Sequence, residues 1–120
     1  MALFKKRDGA AEAEPHMNPI DLETLAKINE QSSPDTPREW LQVLYAADER
    51  AARKAADEIT AADWEIRTVE EAEDGDDWLV LAARTDVILS PELVCRARAF
   101  FEKVASRTAG GQYDGWQASL

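Results

Sequence analysis

Hydrophobic positions recur at two periods along the chain, and the switches between them mark out the elements. From Ser90 onward, Leu93, Ala97, Phe100, Phe101 and Val104 fall within about a third of a helical circumference. Ser90-Pro91-Glu92 supplies a hydroxyl cap, a proline at the first helical position and a carboxylate in the first turn. The spacing therefore predicts a helix with its apolar stripe on those five residues, ended by Gly110-Gly111. Residues 112–119 return as a strand carrying Tyr113 and Trp116. A helix this apolar on one side must lie on a sheet, and the earlier segments have to supply it.

They do so in order. Residues 40–46 (WLQVLYA) have strand length and aromatic and branched composition. Asp48 caps a second helix whose packing side is Ala51, Ala52, Ala55, Ala56 and Ile59. Residues 64–69 alternate, with Trp64, Ile66 and Thr68 opposite Glu65, Arg67 and Val69. Residues 78–85 form the most apolar strand, with Leu79, Leu81 and Ala83 alternating against Trp78, Val80 and Ala82. Strand, helix, strand, strand, helix, strand is the split-βαβ order of a ferredoxin-like α+β sandwich. Both helices then cover one face of a four-stranded antiparallel sheet and leave the other to water or to a partner.

Before this unit, Asn18-Pro19 opens a short helix to about Glu30, with Asp21 in the first turn where the macrodipole favours a carboxylate. Leu22, Leu25 and Ala26 form its stripe and Ile28 lies off it. Such a short helix is marginal alone, so it docks on the domain or forms on a partner. Residues 31–37, with Pro34 and Pro37, read as a linker, and residues 1–17 as a mobile tail. The division is 1–37 for tail, helix and linker, and 38–120 for the compact domain.

Charge narrows the partners. The formal net charge is −10, from 14 Lys and Arg against 24 Asp and Glu. That balance opposes binding to a nucleic-acid backbone, which is held by clustered Lys and Arg. It favours proteins with basic surfaces. The one cysteine, Cys95, lies opposite the apolar stripe of its helix and cannot form an internal disulfide, which fits a reducing, cytoplasmic setting. No apolar run has the length of a bilayer span or a signal peptide. The basic Lys5-Lys6-Arg7 beside Leu3 and Phe4 reads as a solvated terminus.

Candidate chemistry is sparse. Residues 70–77 (EEAEDGDD) hold six carboxylates in eight positions: Glu70, Glu71, Glu73, Asp74, Asp76 and Asp77. They lack the alternating ligand pattern and the downstream glutamate of a calcium loop, so they read as a solvated hairpin connection or an acidic contact for a basic partner. His16 is the lone histidine and has no nucleophile near it. Gly110-Gly111 follows a helix, where a phosphate loop would precede one. No metal, cofactor or catalysis is expected. Trp40, Trp64, Trp78 and Trp116 all fall in predicted strands and are mostly core residues. Strict alternation puts Tyr113 and Gly115 on one sheet face and Asp114 and Trp116 on the other, and Gly115 would permit a bulge.

The sequence Phe100-Phe101-Glu102-Lys103-Val104-Ala105, then Tyr113-Asp114-Gly115-Trp116, resembles the ending of the family of regulators of ribonuclease E activity B (RraB). The similarity includes the helix opening near Asp48, the strand Trp64-Glu65-Ile66 and the acidic turn Glu73-Asp74-Gly75-Asp76, and covers roughly residues 40 to 119. It implies a ferredoxin-like domain that binds an RNA-degrading endonuclease and lowers its activity. Tyr113, Asp114, Gly115 and Trp116 carry over as the signature and join the acidic run as expected partner-binding residues. The alternative from a different class is a sheet-paired dimer, ligand-sensing or structural, with no nuclease partner.

Overall fold

Each helix begins where a side-chain cap predicts it, and each strand within two residues of its expected start, with Trp64 just before β2 rather than in it. The computed structural model describes residues 18–73 and 75–120. The expected tail, with Lys5-Lys6-Arg7 and His16, and the carboxylate Asp74 lie outside the described residues. The elements are α1 (Pro19–Gln31), β1 (Arg38–Ala46), α2 (Glu49–Ala61), β2 (Glu65–Glu71), β3 (Trp78–Val87), α3 (Pro91–Ser106) and β4 (Gln112–Ala118). The Asn18, Asp48 and Ser90 side chains accept hydrogen bonds from the N–H groups of Ile20, Ala51 and Leu93, at 2.8, 2.9 and 3.1 Å. Each cap satisfies one otherwise orphaned N–H of its first turn.

The four strands form one antiparallel sheet in the order β2-β3-β1-β4. That order is consistent with the expected sandwich. β1 shows why one face is buried: Arg38, Trp40, Gln42, Leu44 and Ala46 point under α2 and α3, while Glu39, Leu41, Val43 and Tyr45 point away. The core joins Trp40, Leu44, Val80 and Ala82 of the sheet to Ala52, Ala55 and Ile59 of α2 and to Val94, Phe101 and Val104 of α3. Alanines on α2 let that helix approach closely, and Trp40 and Phe101 are the largest fully buried apolar side chains. Trp64 packs between Trp40 and Phe101, with ring centroids 5.2 and 4.9 Å away.

Two helices are rotated from their expected orientation. On α3 the buried residues are Val94, Ala97, Phe101, Val104 and Ala105, while Leu93 and Phe100 are only half-buried. Phe101 stacks on Tyr113 (5.7 Å) and meets Trp64 edge-on, so these contacts turn its side of the helix down. On α1 the buried residues are Asp21, Leu25 and Ile28, while Leu22 is 49% exposed and Ala26 is exposed. An ion pair made by Asp21, described below, sets that rotation. Ile28 therefore joins the packing side that its spacing from Leu22 had excluded.

Three register shifts interrupt the ladders. In β2 the extra Arg67 puts Val69 rather than Thr68 on the core side with Ile66, which corrects the strict alternation of residues 64–69. The shift in β4 changes the face of a whole segment. Val43 pairs with Gly115 but Leu44 pairs with Tyr113, so Asp114 is an extra residue. The bulge returns Trp116 to the helix-covered face, opposite Gln42, where its ring meets Trp40 edge-on at 6.2 Å. Tyr113 and Trp116 thus share one face and Gly115 lies on the other, which corrects the strict alternation. Gly115 makes this possible with φ of +101°. A Cβ there would touch nothing within 4 Å, so Gly115→Ala should lose stability through backbone strain alone, by about 1–3 kcal/mol. Urea unfolding checks this; no loss would mean that the bulge relaxes without glycine.

Candidate partner-binding site

The signature strand ends up in a cleft between α1, α3 and β4. Asn18, Ile20, Asp21 and Thr24 of the first helix face Arg98 and residues 113–116 across a space of about 270 Å³. At its base lies an ion pair. The Arg98 Nε and Nη2 donate to Asp21 Oδ2 and Oδ1 at 2.6 and 2.9 Å, and Arg98 Nη1 donates to Glu102 at 3.0 Å. The Trp116 Nε1–H donates to Asp21 Oδ1 at 2.9 Å. The Asp21 carboxylate, 2% exposed as a residue, is thereby satisfied by three charge-assisted or indole hydrogen bonds. The hydrogen bonds to Asp21 push the Arg98 guanidinium further above its ordinary pKa, against the effect of its partial burial.

Tyr113 completes this group. Its ring stacks on Phe101 and lies 5.0 Å from the Arg98 guanidinium carbon, and its hydroxyl donates a short hydrogen bond to Gln42 Oε1. Burial is the main cause that pushes the phenol pKa up, and Arg98 opposes it. The phenol titrates higher when folded than when unfolded. Its contribution to stability is therefore full below about pH 10, the ordinary tyrosine value, and falls as pH rises beyond it. Tyr113→Phe should cost about 1–3 kcal/mol at neutral pH by orphaning the Gln42 carbonyl. The same variant should lose less stability than the parent between about pH 10 and 12. Parallel loss in both proteins would show that Tyr113 contributes nothing to the alkaline limb.

The acidic run is split by the structure. Glu70 and Glu71 belong to β2, opposite Leu79 and Trp78, and the Ala72 N–H bonds the Asp77 carbonyl at 2.9 Å to close the hairpin. Glu70, Glu71, Glu73, Asp76 and Asp77 are exposed, and among the described residues none of these five forms an ion pair. Glu73 and Asp77 line a cleft of about 320 Å³ with Tyr45 and Gln112. The acidic hairpin and the start of β4 therefore meet at one end of the sheet. The signature cleft opens on the helix-covered side, so the two groups of expected residues do not form a single pocket. Asp114, the bulged residue itself, is exposed.

Four structural residues escaped the sequence reading. Its first-turn position points Asp21 to the helix dipole, and it is instead the acceptor that holds α1 down. Arg98 is its partner. Gln42 is fully buried and receives Tyr113. Arg38, 2% exposed, donates to the Ser119 carbonyl at 3.0 Å and the Ser33 carbonyl at 2.8 Å, tying the linker to the end of β4. A buried polar residue inside an otherwise apolar strand, such as Gln42 in WLQVLYA, was the one available signal.

Among the described residues no group of three or more His, Cys, Asp or Glu is placed to hold a metal ion. Among them also, no helix is long and apolar enough to cross a membrane. A sequence model of the family described as RraB, regulator of ribonuclease activity B, matches residues 20–118. The match begins within α1, about twenty residues before the resemblance read from the sequence. No curated protein sequence matches the chain.

Proposed function

The chain belongs to the RraB family of regulators of ribonuclease activity, and from that premise we propose that it inhibits a ribonuclease E-type endoribonuclease by protein–protein contact. It does so without chemistry of its own, as a ferredoxin-like domain in the cytoplasm. The observation that carries this reading is the family match, which spans all seven elements. The charge supports it: a net −10 disfavours RNA as the direct ligand and favours a basic protein surface. Glu70, Glu71, Glu73, Asp74, Asp76 and Asp77 supply the electrostatic contact. Tyr113, Asp114, Gly115 and Trp116 form the second contact region, with Trp116 also anchoring α1 through Asp21.

An RNA-cleavage time course with ribonuclease E from the same cell, at two salt concentrations, tests the reading. Inhibition should weaken at high salt, and the protein should not bind RNA alone. Full cleavage at saturating protein would end the proposal. Neutralising Glu70, Glu71, Glu73 and Asp76 to Gln or Asn should weaken association by about tenfold at low salt and flatten its salt dependence. Unchanged binding by that variant would remove the acidic hairpin from the mechanism. A second reading, a sheet-paired dimer without a nuclease partner, is favoured by the uncovered apolar side of the sheet. Sedimentation of a stable dimer that hides this side would support it.

A further inference from the structure

The side of the sheet away from the helices has three zones. At one end Arg67 of β2 reaches across β3 to Glu39 of β1 at 2.9 Å and also pairs with Glu65 at 3.1 Å. These charges are largely spent on one another. In the middle Leu41, Val43, Tyr45, Leu79 and Leu81 lie in register on the two central strands. All five are half-buried, yet none packs against the buried core. Among the described residues, no helix lies over them. Gly115 pairs beside Val43 and adds no side chain, so the surface stays flat toward β4. At the far end Glu70 pairs opposite Leu79, and Glu73 and Asp77 line the cleft that Tyr45 shares. These carboxylates have no cationic partner within the described chain.

We infer that this sheet face is the docking surface for a basic, apolar segment of the partner protein, apolar side chains on the central strands and Lys or Arg in the Glu73–Asp77 cleft. The inference rests on the reading of the protein as a regulator that binds a ribonuclease, and it adds the surface and the chemistry recognised. Apolar burial supplies affinity, while the unpaired carboxylates orient the segment and select its charge. Strand addition is the poorer alternative. Both sheet edges carry a bulge, at Arg67 in β2 and Asp114 in β4, and bulges with edge charges block an added strand. A second copy of this chain would bring another −10 of charge to the face, which opposes self-pairing.

The test uses the full chain with labelled Leu and Val methyl groups and two probes. One is the purified ribonuclease E-type enzyme from the same cell, and the other a synthetic peptide of alternating Lys and Leu. Binding should perturb the methyls of Leu41, Val43, Leu79 and Leu81 and spare Leu44 and Val80 beneath the helices. Leu81→Glu should weaken binding by about tenfold or more, the loss of one anchoring contact. The Glu73→Gln/Asp77→Asn variant, which removes charge without altering packing, should weaken it and flatten the salt dependence. Arg50→Ala, on α2, should change nothing.

If the enzyme binds with its footprint elsewhere, this inference is overturned and the regulatory reading stands. If the enzyme does not bind but the peptide docks on this face, the surface stands and the nuclease partner is lost. Perturbation by neither probe overturns the surface. So would self-association through this face. Protection of the face in the chain alone, lost in K5E/K6E/R7E, would assign it instead to the chain's own basic segment.

Discussion

Arg98→Ala should lower the free energy of unfolding by about 3–5 kcal/mol, the usual loss when one member of a buried ion pair is removed. The Asp21 side chain is only 3% exposed and takes two of its three hydrogen bonds from Arg98. Without the guanidinium it keeps the Trp116 indole N–H and little else. The molecule has one escape, which is to undock α1 and hydrate the carboxylate. That exposes Leu25 and Ile28, each worth about 1.5–3 kcal/mol when buried. The two routes cost similar amounts, so the stability loss is the same in order of magnitude by either. Urea unfolding measures it, and amide exchange separates the routes, because undocking unprotects α1 and leaves the sheet protected. The pair Asp21→Leu/Arg98→Met should recover most of the loss, since an apolar pair of similar volume needs no desolvation of charge. Recovery stays partial because the Trp116 N–H is left without its acceptor. A single variant within about 1 kcal/mol of the parent would remove the ion pair from the account of how α1 is held.

Phe101→Ala should cost about 3–5 kcal/mol, near the top of the range for a buried aromatic residue. Phe101 is 1% exposed and its ring meets those of Trp64, Phe100 and Tyr113 at 4.9, 5.1 and 5.7 Å. Each such ring pair adds about 0.5–1.5 kcal/mol beyond area burial. Against a total of about 5–15 kcal/mol for a domain, this variant would be marginal at physiological temperature. The neighbouring Phe100→Ala should cost no more than about half as much, because Phe100 is only half-buried on the flank of α3. Thermal unfolding of both variants distinguishes the observed rotation of α3 from the one centred on Leu93 and Phe100. Equal losses would contradict the observed rotation.

Helix starts and the succession of helices and strands along the chain were legible because their causes are local, and that succession in turn implied a four-stranded antiparallel sheet. A cap acts over three residues, a helical stripe over seven, and strand alternation over two. The acidic hairpin was equally legible, since charge density needs no tertiary knowledge. Family membership was also readable from Tyr113-Asp114-Gly115-Trp116 and its register with the acidic turn, though only from residue 40 onward.

What the sequence alone determined is therefore the inventory of elements, their order and the charge they carry. The tertiary structure decided which faces and partners those elements use. Asp21 and Arg98 are 77 positions apart, and nothing within either helix indicates that they meet. One extra residue, Asp114, reverses the parity of β4 and moves Trp116 under the helices, because side chains alternate with a period of two. Aromatic contacts to Trp64 and Tyr113 turn α3 on its axis, and a stripe read from spacing alone does not contain them. The open face follows the same logic: alternation shows that β1 has two apolar sides, and only the packing of both helices on one of them leaves the other uncovered.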